Sequence, residues 1–335
     1  MKEKGTIYVV MPAYNVERFL ATAFDSLLAQ TYTDWVCLCM NDGSSDKTYE
    51  VMQKYAALDT RIKIYSQENQ GVTKTRNTLL NMVKGPYLSF LDADDAYHPQ
   101  MLEVLMNTMV SANADVVECG ARRFGDTVPG EFLQPIESSQ NEIQVLENMN
   151  IFLTHKTSVG AWIPKWNKLY DFDKVKTIRF SEQLCHEDDY FYNSLVHTVI
   201  KKKVLVPYPF YFYRHNSSSL CGNVNWKRYQ TSGINRIKLS YDYFIAGGKC
   251  GEIYQKAFLN DLSQDAYRMI VRKPIKGEKN KDTRRQIYNN AKAAMQDYLS
   301  HKIVQTKFLK PMARFHMWLL VHNRYYLTLL MGKLT

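Results

Sequence analysis

Asp92-Ala-Asp-Asp95 places three carboxylates in four residues, and it follows the apolar run Tyr87-Leu-Ser-Phe-Leu91. Carboxylates at i and i+2, at the end of a buried strand, can chelate a hard divalent cation. Mg²⁺ or Mn²⁺ is commonly held by one or two carboxylates plus substrate phosphates rather than by a full protein cage. Taken alone, the same four residues also read as a solvated loop. Two further polar turns, Pro12-Ala-Tyr-Asn15 and Asn41-Asp-Gly-Ser-Ser-Asp46, end apolar runs in the same way.

The elements behind these turns alternate. Thr6–Met11, Trp35–Met40, Ile62–Tyr65 and Tyr87–Leu91 read as strands rich in β-branched and aromatic residues. Between the first two, Phe19, Leu20, Ala23, Phe24, Leu27 and Leu28 fall at helical spacing. Val51, Tyr55 and Leu58 mark a second helix, and residues 72–83 a third. The order βαβαβαβ predicts an α/β fold, a mostly parallel central sheet with helices on both faces. Ligands of such sheets bind at the carboxyl ends of the strands, so the three polar turns are expected to share one crevice.

Beyond residue 113 the pattern changes. Ala114–Phe124 reads as a strand, 125–145 as loop or hairpin, 146–155 as helix, and Val204–Tyr213 as a strand whose prolines favour an edge. A helix is expected over Glu187–His197, and others over 226–246, 250–271, 282–300 and 308–331. The expected division is a domain over 1–222, in halves 1–113 and 114–222, followed by a helical region over 223–335.

Composition narrows the class. Hydrophobic residues make up 45% and charged residues 23% of 335, which excludes a disordered or collagen-like chain. No apolar run reaches transmembrane length. Met1–Gly5 leads into a short apolar run without a cleavage signature, so a cytoplasmic location is expected. The six cysteines form no CxxC pair and are read as reduced thiols, which disfavours zinc-ribbon and thioredoxin-like chemistry.

Six blocks then stand in order: Val10-Met-Pro-Ala-Tyr-Asn-Val16 with Ser26–Tyr32, Asn41–Thr48, Asn69-Gln-Gly71, Thr75-Arg-Asn77, Gly85–Asp95 and His186-Glu-Asp-Asp-Tyr-Phe191. This series resembles the family 2 glycosyltransferases of the GT-A fold, over residues 6 to about 219, and bacterial surface-polysaccharide enzymes in particular. The resemblance implies that Pro12, Ala13 and Tyr14 line a nucleotide base, with Tyr14 stacking on it, and that Asp42 accepts from a uracil-type imide. It implies donor contacts for Arg76, Asp92 and Ala93, and a metal held by Asp94 with Asp92. Asp188 matches the general base of inverting members, and Glu187 would orient the base or the acceptor. Tyr211–Ser219 resembles the block that closes the fold, where Arg214 and His215 would reach the diphosphate or the metal; a plain strand end is the alternative. Trp162 and Trp166 are candidates for the acceptor site, with core packing as the alternative. Asp95 reads as a helix N-cap, Asp189 as a favourable first-turn charge and the runner-up for the base, and His98 as a surface residue.

The implied chemistry is consistent with the residues. A sugar-nucleotide donor leaves as a diphosphate, whose growing charge a cation neutralises. One carboxylate deprotonates the acceptor hydroxyl, and in-line displacement inverts the anomeric centre. Hydrolysis would want two flanking carboxylates. The implied partners are a UDP-sugar carrying a hexose or N-acetylhexosamine, and a glycan or lipid-linked glycan acceptor. The rivals are a non-catalytic nucleotide-sugar-binding scaffold, which would be free to lose Asp42, Asp92, Asp94 and Asp188, and a nucleotidyltransferase, which would want a Gly-rich phosphate loop absent from the sequence.

Charge divides the chain. Residues 1–220 carry a net −4 and residues 221–335 a net +14. Near the end, Phe308, Met312, Phe315 and Leu319 fall at helical spacing. Trp318, Tyr325 and Tyr326 stand among Lys307, Lys310, Arg314 and Arg324. This pattern fits a helix lying on an anionic membrane surface over 308–331, on the cytosolic face; a helix docked on the protein with its stripe hidden is the alternative. No nucleic-acid-binding motif accompanies the charge, and no nucleic acid is expected as partner.

Overall fold

The structure is a computed structural model and describes residues 2–137, 143–147, 164–184, 188–215, 225–249, 252–325 and 327–329. The chain divides into two compact units, Met1–Ser181 with Tyr192–Gly222, and Glu182–Phe191 with Asn223–Thr335.

In the first unit, β1 (Ile7–Ala13), β2 (Trp35–Asp42), β3 (Ile62–Gln67) and β4 (Tyr87–Phe90) are parallel, in the order β3-β2-β1-β4. Val9, Val10 and Met11 are fully buried, as a strand covered on both faces of a parallel sheet requires. The connecting helices are α1 (Leu20–Leu28), α2 (Thr48–Leu58) and α3 (Val72–Met82), and α1 buries Leu20, Ala23, Phe24 and Leu27, the positions its spacing predicts. Beyond β4 the sheet continues through β8 (Lys168–Asp171), β6 (Val116–Phe124), β9 (Lys202–Arg214) and the short β5 (Ala96–Tyr97). There β8 runs antiparallel to both β4 and β6, while β6 and β9 are parallel. The helices of this stretch are α4 (Met101–Ser111), α5 (Phe172–Val175) and α6 (Asp188–Val199), of which the part from Tyr192 on belongs to this unit.

Two expectations change here. The prolines of β9 do not make it an edge: it pairs with β6 on one side and with β5 and β7 (Gln144–Glu147) on the other. The register explains why. Cys119 faces Val206 and Ala121 faces Tyr211, so β9 spends extra residues, Pro207 and Pro209 among them, in a bulge where no ladder bond is asked of them. Residues 144–147, expected as the end of a loop or hairpin running into helix, are strand; most of the expected helix lies outside the described residues. Cys37, Cys39 and Cys119 are free and buried, and burial pushes their thiols well up; Cys185, Cys221 and Cys250 lie outside the described residues.

The second unit is helical: α7 (Trp226–Tyr241), α8 (Glu252–Ala266), α9 (Lys273–Gly277), α10 (Lys281–Ser300) and α11 (Pro311–Val321). Asp242–Ala246 and Tyr267–Arg272 are π-helical. Such wide turns loosen the carbonyl ladder, and the buried Gln230 amide donates to Ile270 O (2.7 Å) and to Ile287 O (2.9 Å). Gly233 lets α7 approach closely: a Cβ there would lie 3.0 Å from that of Met269. Arg236, fully buried, pairs with Asp265 at 3.1 Å and lies 4.2 Å from the Tyr190 ring. The expected single helix over 308–331 is shorter. Phe308 belongs to a separate 3₁₀ turn, Pro311 starts α11, and Asn323 takes a left-handed φ of 61° just beyond its end. Tyr326 and residues 330–335 lie outside the described residues.

Candidate active site

The β1 and β2 turns are fastened to each other. Asn15, at φ 50°, donates its backbone N–H to Ser44 Oγ (3.0 Å) and accepts from the Ser45 N–H through Oδ1 (2.8 Å). Val16 N–H reaches Thr48 Oγ1, Glu17 N–H reaches Asp46, and Lys47 N–H returns to Glu17. This clasp fixes Pro12 and Ala13, the last residues of β1. It leaves the Tyr14 ring 50% exposed, as a stacking platform must be.

Asp42 ends β2 and is 3% exposed. Its Oδ1 accepts from Gln67 Nε2 (2.8 Å) and Gln70 N (2.9 Å), and its Oδ2 from Gly71 N (2.9 Å), the residue that precedes α3. Gly43, at φ 71°, passes so close that a Cβ would lie 2.7 Å from Asn69 N. Asp42 therefore builds the β3–α3 turn whatever else it binds. A carboxylate has about four acceptor positions, and three are used.

Asp92 lies between two cations. Arg76, buried on α3, donates to Oδ1 at 3.3 Å, and Lys165, 1% exposed, donates to Oδ2 at 2.9 Å. Burial works to raise the Asp92 pKa, but Lys165 and Arg76 outweigh it and hold the carboxyl below its usual range. Asp94 is in the opposite state: burial, then the Asp92 charge, push it up to about 6. Ala93 between them is buried.

Behind this turn, Asp95 is 1% exposed and accepts from Tyr211 Oη (2.7 Å) and Arg214 N (2.8 Å). It is therefore no helix N-cap; α4 starts after Gln100. Burial, with Asp94 and Asp92 adding to it, raises Asp95 well above the carboxylate range. Tyr211 Oη also accepts from the Asp92 N–H at 3.3 Å. Arg214 donates through Nε to Asp94 O (2.7 Å) and through Nη1 to the carbonyls of Gly125 and Asp126. It staples the turn, which favours the strand-end reading. His98 is buried, not on the surface: Nδ1 accepts from Gln100 N, so Nε2 donates to Gln134 O at 3.0 Å. Trp166, 4% exposed, stacks on Tyr211 at 4.0 Å and on Tyr213 at 5.6 Å, an arrangement of core packing. His215 is exposed, its N–H on Phe124 O.

Asp188 is the first residue of α6 and 9% exposed, and the segment Glu182–Phe191 that carries it belongs to the second unit. There Asn235 Nδ2 donates to Gln183 O at 3.1 Å. Glu187 and Trp162 lie outside the described residues.

Sequence reasoning missed Lys165 and Tyr211. Lys165 follows Pro164 in a basic, aromatic stretch, and nothing local marks it as the partner of an aspartate 73 residues earlier. Among the described residues no three His, Cys, Asp or Glu side chains gather as a metal cage. The donor set nonetheless suits a hard cation shared with a ligand. Asp92 and Asp94 are two carboxylates in one turn, and burial, then the Asp92 charge, raise Asp94. Phosphate and water oxygens would have to complete the shell.

Comparison with known proteins agrees with this geometry. Residues 8–174 match the family described as Glycosyl transferase family 2. Glycosyltransferase GlyA of Streptococcus pneumoniae is 32% identical over 218 residues, 64% of this chain and 31% of that protein. The UDP-Glc:alpha-D-GlcNAc-diphosphoundecaprenol beta-1,3-glucosyltransferase WfgD of Escherichia coli is 30% identical over 147 residues, 43% of this chain and 56% of that protein. The chain thus spans about a third of the first relative's length and just over half of the second's. The crystal structure of S. aureus TarS 1–349 in complex with UDP-GlcNAc matches with a TM-score of 0.71 over 98% of this chain and 90% of that one, at 15% identity. That likeness speaks for the fold, which is GT-A with a helical C-terminal region. With its three acidic and polar turns gathered in residues 8–174, the chain belongs to glycosyltransferase family 2.

Proposed function

We propose that the protein is an inverting, metal-dependent glycosyltransferase that moves a hexose or N-acetylhexosamine from a UDP-sugar to a hydroxyl of a surface-glycan acceptor, lipid-linked or polysaccharide. The observation that carries this reading is the Asp92–Asp95 turn. One carboxylate is clamped in its ionised form by Arg76 and Lys165, and the next titrates high, at the mouth of a parallel sheet. The UDP-GlcNAc held by TarS and the diphosphoundecaprenol-linked acceptor in the name of WfgD support the donor and acceptor classes.

In this reading Tyr14 stacks on the uracil and the remaining acceptor position of Asp42 takes its imide N–H. Arg76 and Lys165 fix Asp92 toward the donor and offset charge near the diphosphate. A divalent cation held by Asp94 with Asp92 would neutralise charge developing on the leaving diphosphate. His215 is the nearest imidazole in sequence to the Arg214 staple and a further candidate ligand. Asp188 takes the proton of the attacking hydroxyl, and Glu187 orients it; Trp162 is the remaining candidate for the acceptor.

The test is turnover and binding together. Purified protein is incubated with UDP- and GDP-sugars in Mn²⁺, Mg²⁺ or EDTA, and released nucleoside diphosphate is measured. One UDP-sugar is expected to turn over with metal only, and Asp188→Asn to abolish turnover while UDP affinity stays nearly intact. Absence of metal-dependent UDP binding would overturn the reading even where a missing acceptor silences turnover.

A further inference from the structure

Helix α11 is apolar on two sides. Ala313, His316, Met317 and Leu320 recur at i, i+3, i+4 and i+7 and are buried. On the other side Met312, Phe315 and Trp318 are 52%, 51% and 48% exposed. Sequence spacing placed Leu319 on the outer stripe, but it is 2% exposed, and Trp318 takes that place. A helix at a protein surface needs one apolar stripe; here a second, of three large side chains, stands about half exposed, with Trp318 also stacked on His322 at 4.5 Å. Phe315 and Trp318 lie parallel, their ring planes 6° apart and centroids at 6.2 Å. Beside them opens a cleft of about 510 Å³ walled by Leu299, Met317 and Val321 as well as by the two rings.

The segment that carries this face has charge of one sign. From residue 298 to the last residue the sequence contains six Lys and Arg and no Asp or Glu. Lys307, Lys310, Arg314 and Arg324 are all exposed. Arg314 is held in place, donating from Nε to Leu309 O and from Nη2 to Lys307 O. An isologous contact with a second copy would set these cations against each other. An anionic lipid surface offers what both features need: acyl chains for the aromatic stripe and negative headgroups for its cationic rim.

We propose that α11 docks the protein on anionic bilayers, lying in the plane of the interface with Met312, Phe315 and Trp318 entering the acyl boundary. No described helix is long and apolar enough to cross a membrane, so the contact is peripheral. It holds whether or not the catalytic assignment does.

The test is co-sedimentation of the full chain with vesicles of phosphatidylcholine, with and without phosphatidylglycerol. Binding is expected only with phosphatidylglycerol and is expected to fall as salt rises. Phe315→Ser with Trp318→Ser should weaken it at least ~10-fold, and Lys307→Glu with Lys310→Glu at least ~30-fold. Both pairs are exposed, so thermal midpoints should stay near wild type. No binding to the anionic vesicles, or equal binding by wild type and both variants, would overturn the proposal. So would a dimer in sedimentation velocity that the Phe315/Trp318 variant dissociates, because the face would then belong to a second copy.

Discussion

The Lys165 ammonium sits 2.9 Å from Oδ2 of Asp92 with almost no solvent access of its own. Lys165→Met removes this charge-assisted bond and leaves the carboxylate to Arg76, at 3.3 Å. Stability should fall by about 2 kcal/mol, the range for a hydrogen bond to a charged group, seen as a lower urea midpoint. Donor affinity should fall with it. Unchanged UDP-sugar binding would show that the clamp serves folding alone.

Asp94 makes a pH prediction. Its folded pKa of about 6 lies above the ordinary aspartate value, so the folded chain holds that proton more tightly than the unfolded chain. Stability from this group is fully present below about pH 4 and is lost as pH rises through about 6. Asp94→Asn should therefore be the more stable protein at pH 8, by on the order of 2 kcal/mol, and lose that margin at pH 4. Asp95 shifts in the same direction, in part through the Asp94 charge, so the difference between the two proteins reports Asp94 together with the relief it gives Asp95. Metal-dependent UDP binding should be absent in the variant, and in the wild type should weaken below about pH 6 as Asp94 protonates.

Asp42→Asn keeps an oxygen for Gln67 and Gln70 but turns an amide toward the Gly71 N–H. Two donors then face each other in a buried turn, at a cost of about 1–3 kcal/mol. Calorimetry should show a lower melting temperature together with at least ~10-fold weaker UDP binding, the latter corresponding to ~1.4 kcal/mol. A normal melting temperature would mean that the β3–α3 turn does not depend on this carboxylate.

Tyr211→Phe removes the hydroxyl shared by the Asp92 N–H and the Asp95 carboxylate. The ring and its stack on Trp166 remain. The expected loss is about 1–2 kcal/mol, with a several-fold higher KM for the donor as the turn loosens. A KM equal to wild type in a destabilised variant would confine Tyr211 to folding.

Much of this was readable before any coordinates. Strands β1, β2 and β4 stand out because both their faces are largely buried, which writes them as mostly apolar runs, whereas the edge strand β3 leaves Lys63 and Ser66 exposed. The three polar turns follow from where those runs stop. What could not be read is what returns from far along the chain. Asp95 reads as a helix N-cap and His98 as a surface residue, yet β9 closes over them and turns them into buried hydrogen-bonding groups. The prolines that made β9 resemble an edge sit in a bulge, which is visible only once its partner's register is known. Lys165 has no periodicity to betray it, since its meaning is one contact across the fold. In α11 the choice between Leu319 and Trp318 as the outward residue depends on a helix start at Pro311 that the spacing alone set three residues early.

Residues 182–191 are built with the helical unit, although the strands and turns proposed to hold the nucleotide precede and surround them in sequence. This has a practical consequence for engineering. A fragment cut at residue 222 would keep the nucleotide loops but strip the Asp188 segment of the Asn235 and Arg236 contacts that seat it. Chimaeras that exchange only the C-terminal third between relatives would likewise mate a foreign cradle to the native Asp188 segment. Libraries aimed at new acceptors are better designed with 182–191 and 223–249 inherited as one cassette.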